Sequence, residues 1–109
     1  MRRQITDNEV FKSILEVARQ IKPKDGKIIL FGSQARDEAT SDSDWDILIL
    51  LNKKQIKSID RDKYSFPFWE LGWQLDAMIH PLIYTMDEWN KRAHSAFLHN
   101  VETDGIELC

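Results

Sequence analysis

Cysteine is nearly absent from this chain, with a single residue, Cys109, in 109. An internal disulfide is therefore excluded, and the fold must rest on its core alone. Only 3 prolines and 4 glycines are present, too few for a Pro/Gly-rich linker or a low-complexity tract. No long apolar run occurs: the longest, Ile47 to Leu51, falls far short of the ~20 residues of a membrane-spanning helix. There is no basic excess either. Lys and Arg total 15 against 18 Asp and Glu, a net charge of −3. That balance argues against a surface that coats nucleic acid or anionic membrane, and neither partner is expected. The opening Met-Arg-Arg-Gln-Ile-Thr-Asp has no apolar core of the kind a secretory signal carries. A reducing, cytoplasmic setting is the expectation.

What is present is an ordinary globular composition, 42% hydrophobic and 30% charged. The length suits one domain, residues 1–109, large enough for one core. Residues 6–21 predict an amphipathic helix. Thr6 and Glu9 have capping-box spacing, and Val10, Ile14, Val17, Ala18 and Ile21 fall on one face. Pro23 and Gly26 end it. Residues 27–31 and 45–51 are continuous apolar runs, as in strands covered on both faces. Residues 53–64 read as a helix broken by Pro67. Residues 74–84 read as a third strand, with Pro81 requiring an edge or bulge. Residues 87–93 and 95–104 read as two short helices. The expected fold is α/β (α+β): a small mixed sheet with helices packed against it.

The chemistry concentrates in Gly32-Ser33-Gln34-Ala35-Arg36 and Ser43-Asp44-Trp45-Asp46. Asp44 and Asp46 stand at i and i+2 at a strand start, so both carboxylates project to one face, with Cα atoms about 6.6 Å apart. Such a pair can share hard divalent ions. Two ions can stabilise both the attacking and the leaving oxygen of a phosphoryl displacement. A solvated acidic turn is the alternative reading of the same pair. Gly32 permits close backbone approach to a phosphate, free N–H groups at a helix start favour an anion, and Ser33 adds a donor. Arg36 supplies a fixed positive charge. A plain strand-to-helix turn capped by Ser33 is the bland alternative.

With Gly-Ser followed twelve residues later by Asp-x-Asp before an aliphatic strand, residues 32–49 resemble the signature of the polymerase-beta-like nucleotidyltransferase superfamily. By size the chain is most similar to its minimal nucleotidyltransferase (MNT) group, itself similar to the catalytic domain of kanamycin nucleotidyltransferase. Asp37 stands where the family usually has glycine. The resemblance implies Gly32, Ser33, Arg36 and Ser43 at the nucleotide and Asp44 and Asp46 on Mg²⁺, two ions in all. It also implies a third carboxylate from a later strand. Asp76, opposite Leu75, Ala77 and Ile79 in the predicted third strand, is the candidate for that ligand or for the base; Glu70 and Asp87 are the fallbacks. The implied reaction moves an NMP, most readily AMP from ATP, to a hydroxyl.

So short a chain leaves little room for an acceptor site, which predicts a second chain. The resemblance implies a helical HEPN-type partner, with this chain as the antitoxin-like half of the pair. A homo-oligomer is the other source of a second chain. The competing expectation is a catalytically inactive module that neutralises a partner by contact.

The remaining residues read as structural. Tyr64, Phe66, Phe68, Trp69 and Trp73 are core or an exposed partner- or nucleotide-stacking surface. Trp45 and Trp89 are core. Lys53, Lys54 and Lys57 are a solvated face. His80, His94 and His99 lack metal-binding spacing and are read as structural or surface.

Overall fold

The computed structural model describes residues 7–31, 44–91 and 105–109. Thr6, Gly32, Ser33, Arg36, Ser43, His94 and His99, and the helix expected over 95–104, lie outside these residues.

Helix α1 spans Asp7–Ile21, in agreement with the apolar periodicity. Val10, Ile14 and Ala18 are buried, with Phe11, Leu15, Val17 and Ile21 packed around them. Strand β1 is Lys27–Phe31 and β2 is Trp45–Leu51, both as the apolar runs predict. The two pair antiparallel, with Ile29 opposite Leu48. Gly26, just before β1 and beside the end of β2, is required, since a Cβ there would stand 2.5 Å from the Leu50 carbonyl oxygen.

The segment after β2 departs from expectation. Residues 52–57 are not helical. A short helix α2, Ser58–Asp60, runs through a π-helical turn, Arg61–Ser65, into α3, Phe66–Leu75. Pro67 does not break this path. It sits in the first turn of α3, directly after the π-helical turn, a position proline tolerates. Lys53 is not merely solvated. Its Nζ donates to both Asp60 carboxylate oxygens, at 2.7 and 2.9 Å, and the Lys57 N–H donates to Asp60 Oδ2 at 2.9 Å.

The helical path then returns the chain to β3, Ile79–Thr85, which lies parallel to β2. Parallel neighbours need such a crossover. A two-residue strand β4, Ile106–Glu107, pairs antiparallel with β1. The sheet order is β3-β2-β1-β4, so β3 is an outer strand and tolerates Pro81. Helix α4, Met86–Asn90, follows β3 with a capping box between Thr85 and Glu88. This mixed sheet with helices is the expected fold class.

The sheet faces divide the core. Ile28, Leu30, Trp45, Ile47, Ile49, Ile79 and Ile83 pack against α1 and against Phe68 and Leu71 of α3. Burying each such side chain contributes roughly 1.5–3 kcal/mol. The opposite face carries Phe31, Leu48 and Leu50 against Trp89, with Ile29, Leu82, Tyr84 and Met86 around them. No helix among the described residues is long and apolar enough to cross a membrane.

Candidate functional site

Strand alternation builds the site. Trp45 is buried in the α1/α3 core, and its N–H donates to the Met78 carbonyl at 2.7 Å. That bond ties the start of β2 to the start of β3. With Trp45 turned into the core, Asp46 must project to the opposite face, and Asp44 precedes the strand. Asp46 stands in register between Phe31 of β1 and His80 of β3. It is half-buried, whereas Asp44 is exposed. Burial beside Phe31 is the main cause holding the Asp46 carboxyl above its ordinary pKa; the Asp44 charge raises it further, and His80 opposes both.

His80, read from the sequence as structural or surface, is half-buried on this same face. Its Nε2 lies 3.6 Å from Asp44 Oδ2. Trp69 meets the imidazole edge-on, with ring centroids 5.8 Å apart. The sequence signal is the alternation of β3, in which Ile79, Pro81, Ile83 and Thr85 are buried and the residues between them are half-buried. That pattern puts His80 on the face of Leu82 and Tyr84, the face of Asp46.

The position expected of Asp76 is also corrected. Helix α3 continues to Leu75, and Asp76 is its C-cap in the left-handed region, φ 54° and ψ 41°. The N–H groups of Asp76 and Ala77 both donate to the Gly72 carbonyl, an αL-type helix ending. Asp76 is therefore not a strand residue alternating with Leu75 and Ala77. Among the described residues, no three His, Cys, Asp or Glu side chains converge closely enough to hold a metal ion. Asp44, Asp46 and Asp76 thus do not form a preassembled three-carboxylate centre.

The aromatic cluster splits. Phe68 is core, while Phe66, Trp69 and Trp73 are 44%, 39% and 68% exposed. Trp45 and Trp89 are buried, as expected. A cavity of about 460 Å³ runs beside β3, lined by Arg61, Phe66, Trp69, Leu82 and Tyr84 among others, and does not include the acidic pair.

The nucleotidyltransferase domain family matches residues 11–96. A chain of Methanocaldococcus jannaschii named "Putative protein adenylyltransferase MJ0141" is 31% identical over 99 residues, covering 85% of this chain and 88% of its own. A crystal structure described as a toxin-antitoxin with AMP-PNP superposes with TM-score 0.58 at 26% identity, covering 90% of this chain and 71% of its own. A tri-AMPylated Shewanella oneidensis HEPN toxin in complex with MNT antitoxin aligns with TM-score 0.55 at 24% identity, over 95% of this chain and 72% of the other, a likeness of fold. The chain belongs to the nucleotidyltransferase domain family. Its enzyme class is nucleotidyltransferase, and its fold is that of the MNT structures.

Proposed function

We propose that this nucleotidyltransferase moves AMP from ATP to a hydroxyl on a helical HEPN-type partner, as the antitoxin half of such a pair. The observation that carries this reading is the Asp44–Asp46 pair, with Asp46 half-buried and its carboxyl held above the ordinary range by burial and by Asp44. Like charges in that setting are relieved by a bound cation or by protonation. The donor set fits Mg²⁺, which takes one or two carboxylates and completes its shell with substrate phosphates and water. Asp44 and Asp46 would hold it, and when bound it supplies charge stabilisation at the phosphates.

The chain's own residues do the rest. Asp46 is fixed by its strand neighbours, so its carboxylate presents to the phosphates without reorganisation. Gly32, Ser33, Arg36 and Ser43 form the nucleotide loop in this proposal, as their sequence pattern suggests. The acceptor oxygen attacks the α-phosphorus in line. The bond from that phosphorus to the bridging oxygen of the β-phosphate breaks, pyrophosphate leaves, and the acceptor proton is released to solvent.

The name of the archaeal relative supports adenylylation of protein. The AMP-PNP in one structural neighbour supports an adenine nucleotide, and the modified HEPN toxin beside another supports the partner class. The test is transfer of label from α-labelled ATP to a co-purified helical partner. Asp44→Asn and Asp46→Asn are each expected to abolish transfer while the fold persists; undiminished transfer in both would overturn the reading. His80 beside the pair, where a third acid was expected, favours one second reading, a binding module without catalysis. Both variants would then still silence the partner, with no need for nucleotide.

A further inference from the structure

Strand β3 is an outer strand of the sheet, and one backbone group on its outer side stands out. The bond from the Trp45 N–H to the Met78 carbonyl sets the alternation along β3. The backbone groups of His80, Leu82 and Tyr84 face β2, and those of Ile79, Pro81, Ile83 and Thr85 point outward. All of these outward positions except Ile83 are closed without a neighbouring strand. The Ile79 N–H donates to the Ala77 carbonyl at 3.1 Å. Pro81 has no N–H. The Thr85 N–H donates to Glu88 Oε1 at 3.2 Å. Among the described residues, the Ile83 N–H is the outward donor of β3 left without an acceptor. Ile83 is buried, and N–H groups in such settings are nearly always paired.

The cavity of about 460 Å³ lies at this same edge, with Ile83 on one wall and Arg61, Asp62, Phe66 and Trp69 on the other. Phe66, Trp69 and Trp73 recur at i, i+3 and i+7, one face of α3, and all three are exposed. Grouped exposed aromatics of this kind mark an association surface. The surface is also complementary to itself. An antiparallel pairing centred on Ile83 lets two copies exchange N–H and C=O with each other. It sets Pro81, which cannot donate, opposite Thr85, whose N–H is already held by Glu88. Arg61 and Asp62 are adjacent, opposite in charge and on one cavity wall, so a two-fold related copy offers each of them its counter-charge.

We propose that a second copy of this chain docks antiparallel along the outer edge of β3. Ile83 pairs with the partner subunit's Ile83, Arg61 faces the partner subunit's Asp62, and the exposed aromatic faces of the two α3 helices close over the cavities. Each contact then occurs twice, as in any isologous dimer. The pairing is independent of which hydroxyl accepts the nucleotide.

The experiment is sedimentation velocity of the full chain over a concentration series, without nucleotide or any other protein. A dimer is expected. Trp73→Glu is expected to raise its dissociation constant about tenfold or more, as loss of an aromatic anchor does. Arg61→Asp and Asp62→Arg are each expected to dissociate the pair, because each sets like charges face to face. Mixed together, these two variants are expected to reassociate as a heterodimer, which a folding defect in either would not allow. In the wild-type chain, the Ile83 amide should exchange with solvent more slowly as concentration rises, read by NMR. A chain that stays monomeric over the series, or a mixture of the two charge variants that does not reassociate, overturns the proposal. So does an Ile83 amide whose exchange is indifferent to concentration; if it slows only when a helical partner is added, the edge belongs to that partner and not to a second copy.

Discussion

His80 Nε2 stands 3.6 Å from Asp44 Oδ2, and the same histidine is the register partner of Asp46. One residue of β3 thus neighbours both members of the acidic pair, one through its side chain and one through strand alignment. The contact depends on where α3 ends. Asp76 turns the chain in a left-handed cap, and three residues later β3 begins, with the Met78 carbonyl already bound to the Trp45 N–H.

Removing the charge of Asp46 should stabilise the apo protein. Burial and Asp44 both penalise its ionised form, so at neutral pH the folded state carries a cost the unfolded chain does not. Asp46→Asn keeps the shape and removes the charge. Its melting temperature should rise slightly, since solvent screens much of a half-exposed charge, while transfer is lost. Thermal unfolding by circular dichroism checks the first half; an unchanged or lowered melting temperature would contradict it.

Asp60 should shape the acid limb of the stability curve. The hydrogen bonds from Lys53 and from the Lys57 N–H hold its carboxyl below the ordinary range. A depressed folded pKa stabilises above the unfolded value, near 3.9, and that contribution is lost as pH falls through the folded one. Asp60→Asn should therefore lose stability at neutral pH and show a flatter acid limb than wild type in urea melts. Lys53→Ala, which leaves the buried carboxylate short of a partner, should cost about 1 kcal/mol.

Gly72→Ala should disturb the α3–β3 junction. A Cβ there would stand 2.9 Å from the Ala77 carbonyl oxygen and 3.5 Å from Ile79 Cβ. The first contact is with backbone and cannot swing aside. The expected cost is about 1–3 kcal/mol, read as a drop in urea midpoint.

Asp76→Gly should behave oppositely to the site aspartates. A non-glycine residue at φ 54° is in a region glycine enters at no steric cost. Stability should hold or rise by about 0.5–1 kcal/mol, and transfer should persist. Loss of transfer comparable to that of Asp46→Asn would return Asp76 to the catalytic set.

The strands that build the acidic pair were legible because they are simple. Lys27–Phe31 and Trp45–Leu51 are apolar throughout and bounded by polar or turn residues, so burial on both faces leaves one reading. Trp45 between two acids likewise told which face each side chain takes. The third strand was misread at its start because Leu75, Ala77 and Ile79 alternate as a strand would, while the helix reaching Leu75 and its left-handed cap depend on tertiary contact at Gly72. That five-residue difference in where the strand begins put Asp76 in a strand it does not occupy. Pro67 misled for a related reason: a proline that ends one helical pattern equally starts another. The two-residue β4 carries too little pattern to be seen without β1 beside it.

The central claim is that Asp44 and Asp46 direct transfer of AMP to a partner protein. Intact-mass spectrometry of a helical partner co-expressed with this chain, incubated with ATP and a divalent cation, tests it most directly. The account predicts one or more added adenylates with the wild-type chain, and none with Asp46→Asn or after chelation of the metal. An unmodified partner with the wild-type chain, or equal modification by Asp46→Asn, would contradict it.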